Sequence, residues 1–388
     1  MPARWKTTLG CVIAAVVAVV LLSRIHGKPD SPPATHAKLP QLFAREPSQP
    51  AKPARVASPA PSASRDGPHP KLEVCGISDL PPSVEDTGNV ASYLLDTTRD
   101  TYDRWKATLI NGSDARARAV GLSLQRVDDM LARSLAADTA VEQMVELATA
   151  THDPDIYGVA VAFCHTGLRD DSAPVALCGR LSLSEWAKLD PDNAVPWLAN
   201  AAAARQKGDP WAEAVAFVRA AQAHKVDGDG EVLLSNAMAV FPANATLPER
   251  FAAEVHMWDF DAVRARPDFS EISRYCTVTA LQQSQVRDQC EDLAALLVDH
   301  GGNLLNLSRG RALGKLLGWP AARLDQLARE RDAMFEVLAS SGGAEDWSCG
   351  HMAWTDDFLK RRLQIGELAA LRELQAKSAI PSTPPPSR

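Results

Sequence analysis

From about residue 84 onward the sequence is a succession of helix-forming stretches, and this feature constrains the fold more than any other. Alanine, leucine, arginine, glutamate and glutamine dominate the stretches, and all five are strong helix formers. Within residues 290–300 and 320–339 the apolar side chains recur at the spacing of an amphipathic helix. Glycines and a proline separate such stretches at 301–302 and 318–320, and runs of alternating β-branched residues are missing. We therefore predict an all-α domain of about eleven to thirteen helices.

Residues 189–221 carry a more specific pattern. Leu189–Asn193 reads Leu-Asp-Pro-Asp-Asn, Trp197 follows on a first helix, and Gly208 separates this helix from a second one that carries Phe217. The pattern resembles a tetratricopeptide repeat, a helix pair about 34 residues long. The resemblance implies an array of antiparallel helix pairs, an α-solenoid, with a surface that binds other proteins. A single motif of this kind inside a different helical bundle is the alternative. The run of residues 310–319 resembles sequence of bacterial envelope proteins, which implies no particular function.

Three aromatic residues of this repeat-like stretch are candidates for a binding groove: Trp197, Trp211 and Phe217. Trp258, further along the chain, is a fourth aromatic residue of the same kind. Each side chain either packs in the core or lines the groove, and large aromatic residues are commonly buried. The stretch departs from the repeat pattern in a one-residue insertion around Trp211 and in the polar Asn200, and no second copy is as clear.

Residues 9–22 form an uncharged apolar run with basic residues on both sides. Fourteen residues rise about 21 Å as a helix, which is short for a hydrocarbon core of about 30 Å. Flanking lysine and arginine side chains can reach the membrane surface, so that a single transmembrane anchor is feasible. A cleaved signal peptide is the alternative, although Ser23–Lys28 contains no cleavage site of small residues.

The remaining segments divide the chain further. Residues 29–73 contain eleven prolines and predict a disordered, extended linker, and residues 379–388 predict a disordered tail. The expected organisation is an anchor or signal peptide at 1–28, this linker, a helical domain at 74–378 and the tail. Residues 75–388 carry 31 basic and 44 acidic side chains, a balance of −13. An acidic body disfavours nucleic-acid binding.

The chain has seven cysteines, of which Cys11 lies in the apolar run and six lie beyond residue 73. An even number beyond a membrane segment indicates disulfides in an oxidising compartment. Cys164 and Cys178 flank a loop-like stretch and are expected to pair, whereas Cys75 and Cys349 would tie the two ends of the domain together. Cys276 and Cys290 have the same separation as the first pair, but on an unbroken helix they would lie about 21 Å apart. Either that helix breaks or each pairs elsewhere. Six reduced cysteines in a cytosolic domain are the alternative.

No catalytic motif, cofactor motif or metal-ligand spacing is present in the sequence. The densest polar cluster lies in residues 345–357, where carboxylates flank Cys349, His351 and Trp354. The sequence therefore favours a non-catalytic protein: a single-pass bacterial inner-membrane protein whose periplasmic helical domain binds a protein partner. An envelope enzyme with an active site at 345–357 is the alternative hypothesis.

Overall fold

A computed structural model describes most of the chain beyond residue 73. The described residues are 74–77, 80–81, 84, 90–131, 137–165, 176–226, 230–263, 269–340 and 346–378. The chain divides into two compact units, residues 1–72 with 81–92, and residues 73–80 with 93–388. The first unit is described only at residues 81, 84 and 90–92, so the helices from residue 99 onward lie wholly in the second unit.

Within the described ranges the protein has sixteen α-helices and no strand, which confirms the all-α prediction. Two short 3₁₀ helices, at Ala176–Arg180 and Ala280–Gln282, join some of them. The α-helices are α1 (Val90–Thr97), α2 (Arg99–Asn111), α3 (Ala115–Leu131), α4 (Ala137–Thr151), α5 (Pro154–His165), α6 (Leu183–Leu189), α7 (Ala194–Gln206), α8 (Pro210–Ala221), α9 (Gly230–Ala239), α10 (Leu247–Val263), α11 (Phe269–Tyr275), α12 (Ser284–Asp299), α13 (Leu304–Leu317), α14 (Ala321–Ser340), α15 (Cys349–Ile365) and α16 (Glu367–Ser378).

Short polar side chains begin several helices by capping their free backbone N–H groups. Each of five cap side chains accepts a hydrogen bond from a backbone N–H in the first turn: Ser182, Asn193, Asp209, Asn303 and Ser348. Such a cap contributes about 1 kcal/mol to helix stability. Positive-φ glycines follow some helices, as at Gly318, where φ is +82° and α13 ends.

Helix α3 organises the packing of the second unit. It contacts its chain neighbours α2, α4 and α5, and also α9 and α10, which follow about a hundred residues later. Gly121 makes the approach of α2 possible, because a Cβ atom there would lie only 2.7 Å from the Cβ atom of Leu109. Trp105 and Leu122 are nearly inaccessible in the resulting core, which extends through α8, α12 and α13. One apolar core therefore joins helices that are distant in sequence.

A second, smaller apolar cluster lies between the start of the second unit, α10 and α15. Its buried members are Cys75, Leu94, Phe251 and Met352. Four partly buried side chains pack against it: Ile77, Leu247, Val255 and Trp347. The cluster joins the first residues of this unit to two of its later helices.

All six cysteines beyond residue 73 form disulfides. The bridges Cys164–Cys178 and Cys75–Cys349 are as expected, and the second closes a separation of 274 residues. Cys276 pairs with Cys290, with their Cα atoms 5.9 Å apart. The open alternative is thereby resolved: α11 ends at Tyr275, and the chain turns through a 3₁₀ helix before α12 begins.

The helices are more numerous than the predicted eleven to thirteen. The difference comes from segments of seven or eight residues, such as α1, α6 and α11, which are too short to show a helical period. No helix of the described residues is long and apolar enough to cross a membrane. The apolar run 9–22, the linker 29–73 and the tail 379–388 lie outside the described residues.

Candidate functional site

Helices α7 and α8 form a tightly closed hairpin over the stretch that resembles a repeat. Only three residues connect them, and Gly208 in that connection has φ of +70°. The turn before α7 is tied to the chain after α8, since the backbone N–H of Ala194 donates to the carbonyl of Lys225 at 2.9 Å. The Lys225 ammonium also lies 3.2 Å from the Asp190 carboxylate. The hairpin is thus fixed at both ends.

A buried turn caps the start of α7. Asn193 is the N-cap residue, and its side-chain oxygen accepts from the N–H of Val195. The Asn193 amide donates to the Asp190 carboxylate at 2.8 Å, so that both side chains are fixed in a buried turn. Trp197 donates its indole N–H to the carbonyl of Pro191 at 2.9 Å. The indole N–H of Trp197 is therefore hydrogen-bonded within this turn.

The three groove candidates lie in three different environments. Phe217 is fully buried and stacks on Tyr275 of α11, with ring centroids 3.8 Å apart. Trp197 is partly buried against the main core. Trp211 is 78% exposed at the start of α8. The structure thus places Phe217 in the core and Trp211 in solvent, and the side chain of Trp258 lies outside the described part.

Trp211 belongs to an apolar stripe on α8. Val215 and Val218 follow it at spacings of four and seven residues, which places all three on one helical face. Val215 is 42% exposed, whereas Phe217 and Ala220 on the opposite face are buried. Asp209 caps the first turn through the N–H of Ala212 and so holds the backbone at Trp211 in a helical conformation. We call Trp211, Val215 and Val218 the α8 stripe.

A second candidate site is a buried carboxyl pair between α10 and α15. Glu254 is 1% exposed and Asp356 is 5% exposed. Burial raises the pKa of Glu254 most and the negative charge of Asp356 raises it as well, so that the pKa is about 9. Glu254 is therefore protonated at neutral pH.

Basic side chains surround this pair. The Lys360 ammonium lies 2.7 Å from the Asp356 carboxylate, and the Arg250 guanidinium lies 3.3 Å from it. Further along α15, Arg362 lies 3.2 Å from Glu231 of α9. Charged groups thus join α9, α10 and α15.

The polar cluster at 345–357 is a capped helix start in its described part. Ser348 caps α15, and its backbone N–H donates to Asp346 at 2.9 Å, which lowers the pKa of that carboxyl group. The His351 ring packs edge-on against Phe251 and roughly parallel to Trp354. Among the residues that the structure describes, no three His, Cys, Asp or Glu side chains are placed to hold a metal ion.

The sequence alone did not predict that the Glu254 carboxyl group lies beside Asp356. Glu254 lies 102 positions earlier, on α10, and only packing brings the two carboxyl groups together. A signal was nevertheless present: Glu254 follows Ala252 and Ala253 and shares a helical face with Met257, all of which are buried.

No family model, curated protein or solved structure matches this chain.

Proposed function

We propose that this protein is a membrane-anchored periplasmic scaffold of the helical-repeat kind, which binds a protein partner through the α8 stripe. The observation that carries the proposal is the exposure of Trp211, at 78%, on a rigid helix pair. Tryptophan is the residue type most enriched among the side chains that dominate protein–protein affinity. A large apolar side chain held in water by a well-capped helix favours association.

Support for the location comes from two features of the chain. Residues 9–22 are apolar and uncharged, and they precede every helix described above. The six cysteines beyond residue 73 are all paired, as is usual for a domain that matures in an oxidising compartment. We therefore propose a single-pass inner-membrane anchor at 9–22, with the helical domain in the periplasm.

The repeat-like architecture is part of the same proposal. The α7–α8 pair and the α12–α13 pair are both closely packed helix hairpins with short connections. An array of such pairs presents extended surfaces on which successive hairpins supply binding residues. The contacts of α3 with α9 and α10 bring additional hairpins into the same body.

The test is a comparison of proteins that co-purify with three tagged forms of the chain from detergent-solubilised native membranes. The forms are wild type, Trp211→Ala and Phe335→Ala. Phe335 is a matched control because it is also an exposed aromatic residue, at 51%, but lies on α14. The co-purified amount of a partner that depends on the α8 stripe is expected to fall at least tenfold with Trp211→Ala. Truncation of a hot-spot side chain costs about 2 kcal/mol or more of binding free energy.

The Phe335→Ala control distinguishes the loss of one binding surface from a general effect of removing an exposed aromatic side chain. We expect Phe335→Ala to retain the partner at the wild-type level. Retention of every co-purifying protein by Trp211→Ala would contradict the proposed binding face. Because Trp211 is largely exposed, its truncation should change the unfolding free energy by less than about 0.5 kcal/mol, and thermal unfolding verifies this.

The alternative function, an envelope enzyme acting at residues 345–357, is favoured by one observation. Asp356 faces a carboxyl group that holds its proton at neutral pH, and such a pair supplies one acid and one base. Both side chains are buried, however, and basic side chains already neutralise Asp356. The geometry therefore supports a structural role for this pair better than a catalytic one.

A further inference from the structure

The first described residues of the chain form a short, tightly held turn. Val74 and Cys75 are 2% and 4% exposed, and the N–H of Ile77 donates to the carbonyl of Val74 at 3.0 Å. Gly76, with φ of +72°, completes the turn. Residues 1–73 precede it, so that the turn is the junction between the N-terminal part of the sequence and the helical body.

A disulfide, a backbone hydrogen bond and apolar packing hold this turn against the body. The backbone N–H of Cys75 donates to the carbonyl of Trp347 at 2.9 Å, and the Cys75 side chain is bridged to Cys349 in the first turn of α15. The Pro248 ring approaches Gly76 from the start of α10. The apolar side chains around Cys75 form the small cluster that is separate from the main core. Among the described residues, the disulfide is therefore the covalent cross-link between this turn and the helical body.

The three bridges differ in their accessibility to solvent. Cys349 is exposed, whereas Cys276 and Cys290 are both fully buried in the main core. Cys164 and Cys178 are partly buried and pack against the main core. A dithiol has to reach a sulfur atom along the S–S axis, and exposed bridges are the labile ones. The Cys349 end offers the most open approach.

We propose that the Cys75–Cys349 disulfide is a reducible latch, which a dithiol opens before the other two bridges and without unfolding the helical core. A thiolate of the dithiol attacks the Sγ atom of Cys349, the S–S bond breaks, and Cys75 leaves as a thiolate that takes up a proton. The second thiol of the reagent then attacks the mixed disulfide and releases Cys349. The reagent ends as a disulfide, and the bridge has gained two electrons and two protons.

Opening the latch has a local consequence. The segment 74–77 would keep the backbone hydrogen bond from Cys75 to Trp347 and its share of the small apolar cluster. The main core would keep its own contacts and both remaining bridges, which each close a separation of only 14 residues. Reduction therefore frees the junction with residues 1–73 while α7 and α8 stay folded. This inference is independent of any partner at the α8 stripe.

The first test is a titration of the native, full-length protein with dithiothreitol, followed by alkylation and peptide mass spectrometry. We expect Cys75 and Cys349 to be alkylated at reductant concentrations at least tenfold below those needed for the other four cysteines beyond residue 73. Prior or simultaneous alkylation of Cys164 and Cys178 would overturn the proposal. This test requires no variant and does not depend on a substituted chain folding.

The second test measures amide hydrogen exchange in two variants. Cys75→Ser/Cys349→Ser removes the latch, and Cys164→Ser/Cys178→Ser is the matched control that removes a short bridge. The latch variant is expected to lose protection at residues 74–77 and in the first turns of α15, with α7 and α8 protected as in wild type. Unchanged protection at 74–77, or loss of protection throughout the body, would each refute a local latch.

Discussion

At the scale of single residues, Glu254 shows how strongly packing changes the chemistry of a side chain. Its carboxyl group lies between α10 and α15, where burial and the neighbouring Asp356 raise its pKa from 4.5 to about 9. In the unfolded chain the same group ionises near its ordinary pKa. At a pH between the unfolded-state and folded-state pKa values, folding therefore takes up a proton, and lowering the pH favours the folded state. The contribution is complete below about pH 4.5 and is lost as the pH rises toward 9.

We expect Glu254→Gln to remove this pH dependence. The glutamine amide is neutral at every pH and pays no cost of ionisation, so the variant should unfold at higher denaturant concentration than wild type at pH 8. The difference in unfolding free energy between the variant and wild type should shrink by up to about 1.4 kcal/mol for each pH unit by which the pH is lowered toward 5. Urea unfolding at pH 5, 6.5 and 8 measures it.

Glu249, one turn earlier on α10, supplies the matched control with the opposite sign. A hydrogen bond from Thr101 lowers the pKa of Glu249, against the effect of partial burial, and bonds from Thr246 lower it further. Its stabilising effect is present above its unfolded pKa and is lost in acid. Glu249→Gln should therefore destabilise the protein at pH 7 and approach wild type below pH 4. Equal pH profiles for the two variants would contradict both assignments.

Alanine substitutions of Phe217 and Trp211 test whether the buried residue contributes to stability and the exposed residue does not. Phe217 has no exposed surface and stacks on Tyr275, so that Phe217→Ala should leave a cavity and cost about 3–5 kcal/mol of unfolding free energy. Thermal unfolding at one fixed protein concentration measures the loss. Trp211→Ala should leave the melting temperature within a few degrees of wild type, and an equal loss for both would show that Trp211 is also a core residue.

The sequence identified these aromatic residues but could not assign their environments. Both lie on α8, and helical spacing separates their faces only once the helix start at Pro210 is known. Asp356 was found as part of a polar cluster, whereas Glu254 was not. Its role depends on the contact between α10 and α15, which no local pattern encodes.

At the scale of elements, helix ends were the best-predicted features where glycine or proline marks them. Helix α12 ends at Asp299, one residue short of the Gly301–Gly302 pair that indicated its boundary, and α13 ends at Leu317, directly before Gly318. The break between Cys276 and Cys290 carries neither glycine nor proline, and for this reason their pairing stayed open. The disulfide itself shows that the chain reverses direction there.

The connection between α7 and α8 gives a prediction for a single turn. Gly208 has φ of +70°, and a Cβ atom there would meet nothing within 4 Å, so the cost of Gly208→Ala is conformational alone. We expect a loss of about 1–2 kcal/mol in unfolding free energy. Gly179→Ala is the matched control, because its site is equally open and its φ is not in the left-handed region. That change should be neutral or slightly stabilising in chemical denaturation, and equal losses for the two would contradict the role given to the turn.

At the scale of the whole molecule, contacts between distant helices decide how the hairpins assemble. α3 meets α9 and α10, α10 meets α15, and Cys75 is bridged to Cys349. Sequence periodicity predicts each helix but not its distant neighbours, since any apolar face can pack on many others. The pairing of the domain ends was foreseen only because two cysteines remained after the nearer pairs.

The cysteines also test the proposed location. We expect protein isolated from native membranes, denatured without reductant and treated with an alkylating reagent, to take up one label per chain, at Cys11. The other six cysteines are paired and cannot react. Loss of residues 1–28 by cleavage would give no label. Six or seven labels would contradict an oxidising compartment for the helical domain.

The α8 stripe is the basis of the proposed function, and site-specific photo-crosslinking in intact cells tests it most directly. A benzophenone amino acid is placed at Trp211 in one chain and at Phe335 in another, so that both probes replace exposed aromatic residues. We expect illumination to give a discrete higher-mass adduct to another protein from the probe at position 211, and none at position 335. Absence of any adduct at position 211 beyond the level at position 335 would contradict a protein-binding role for this face.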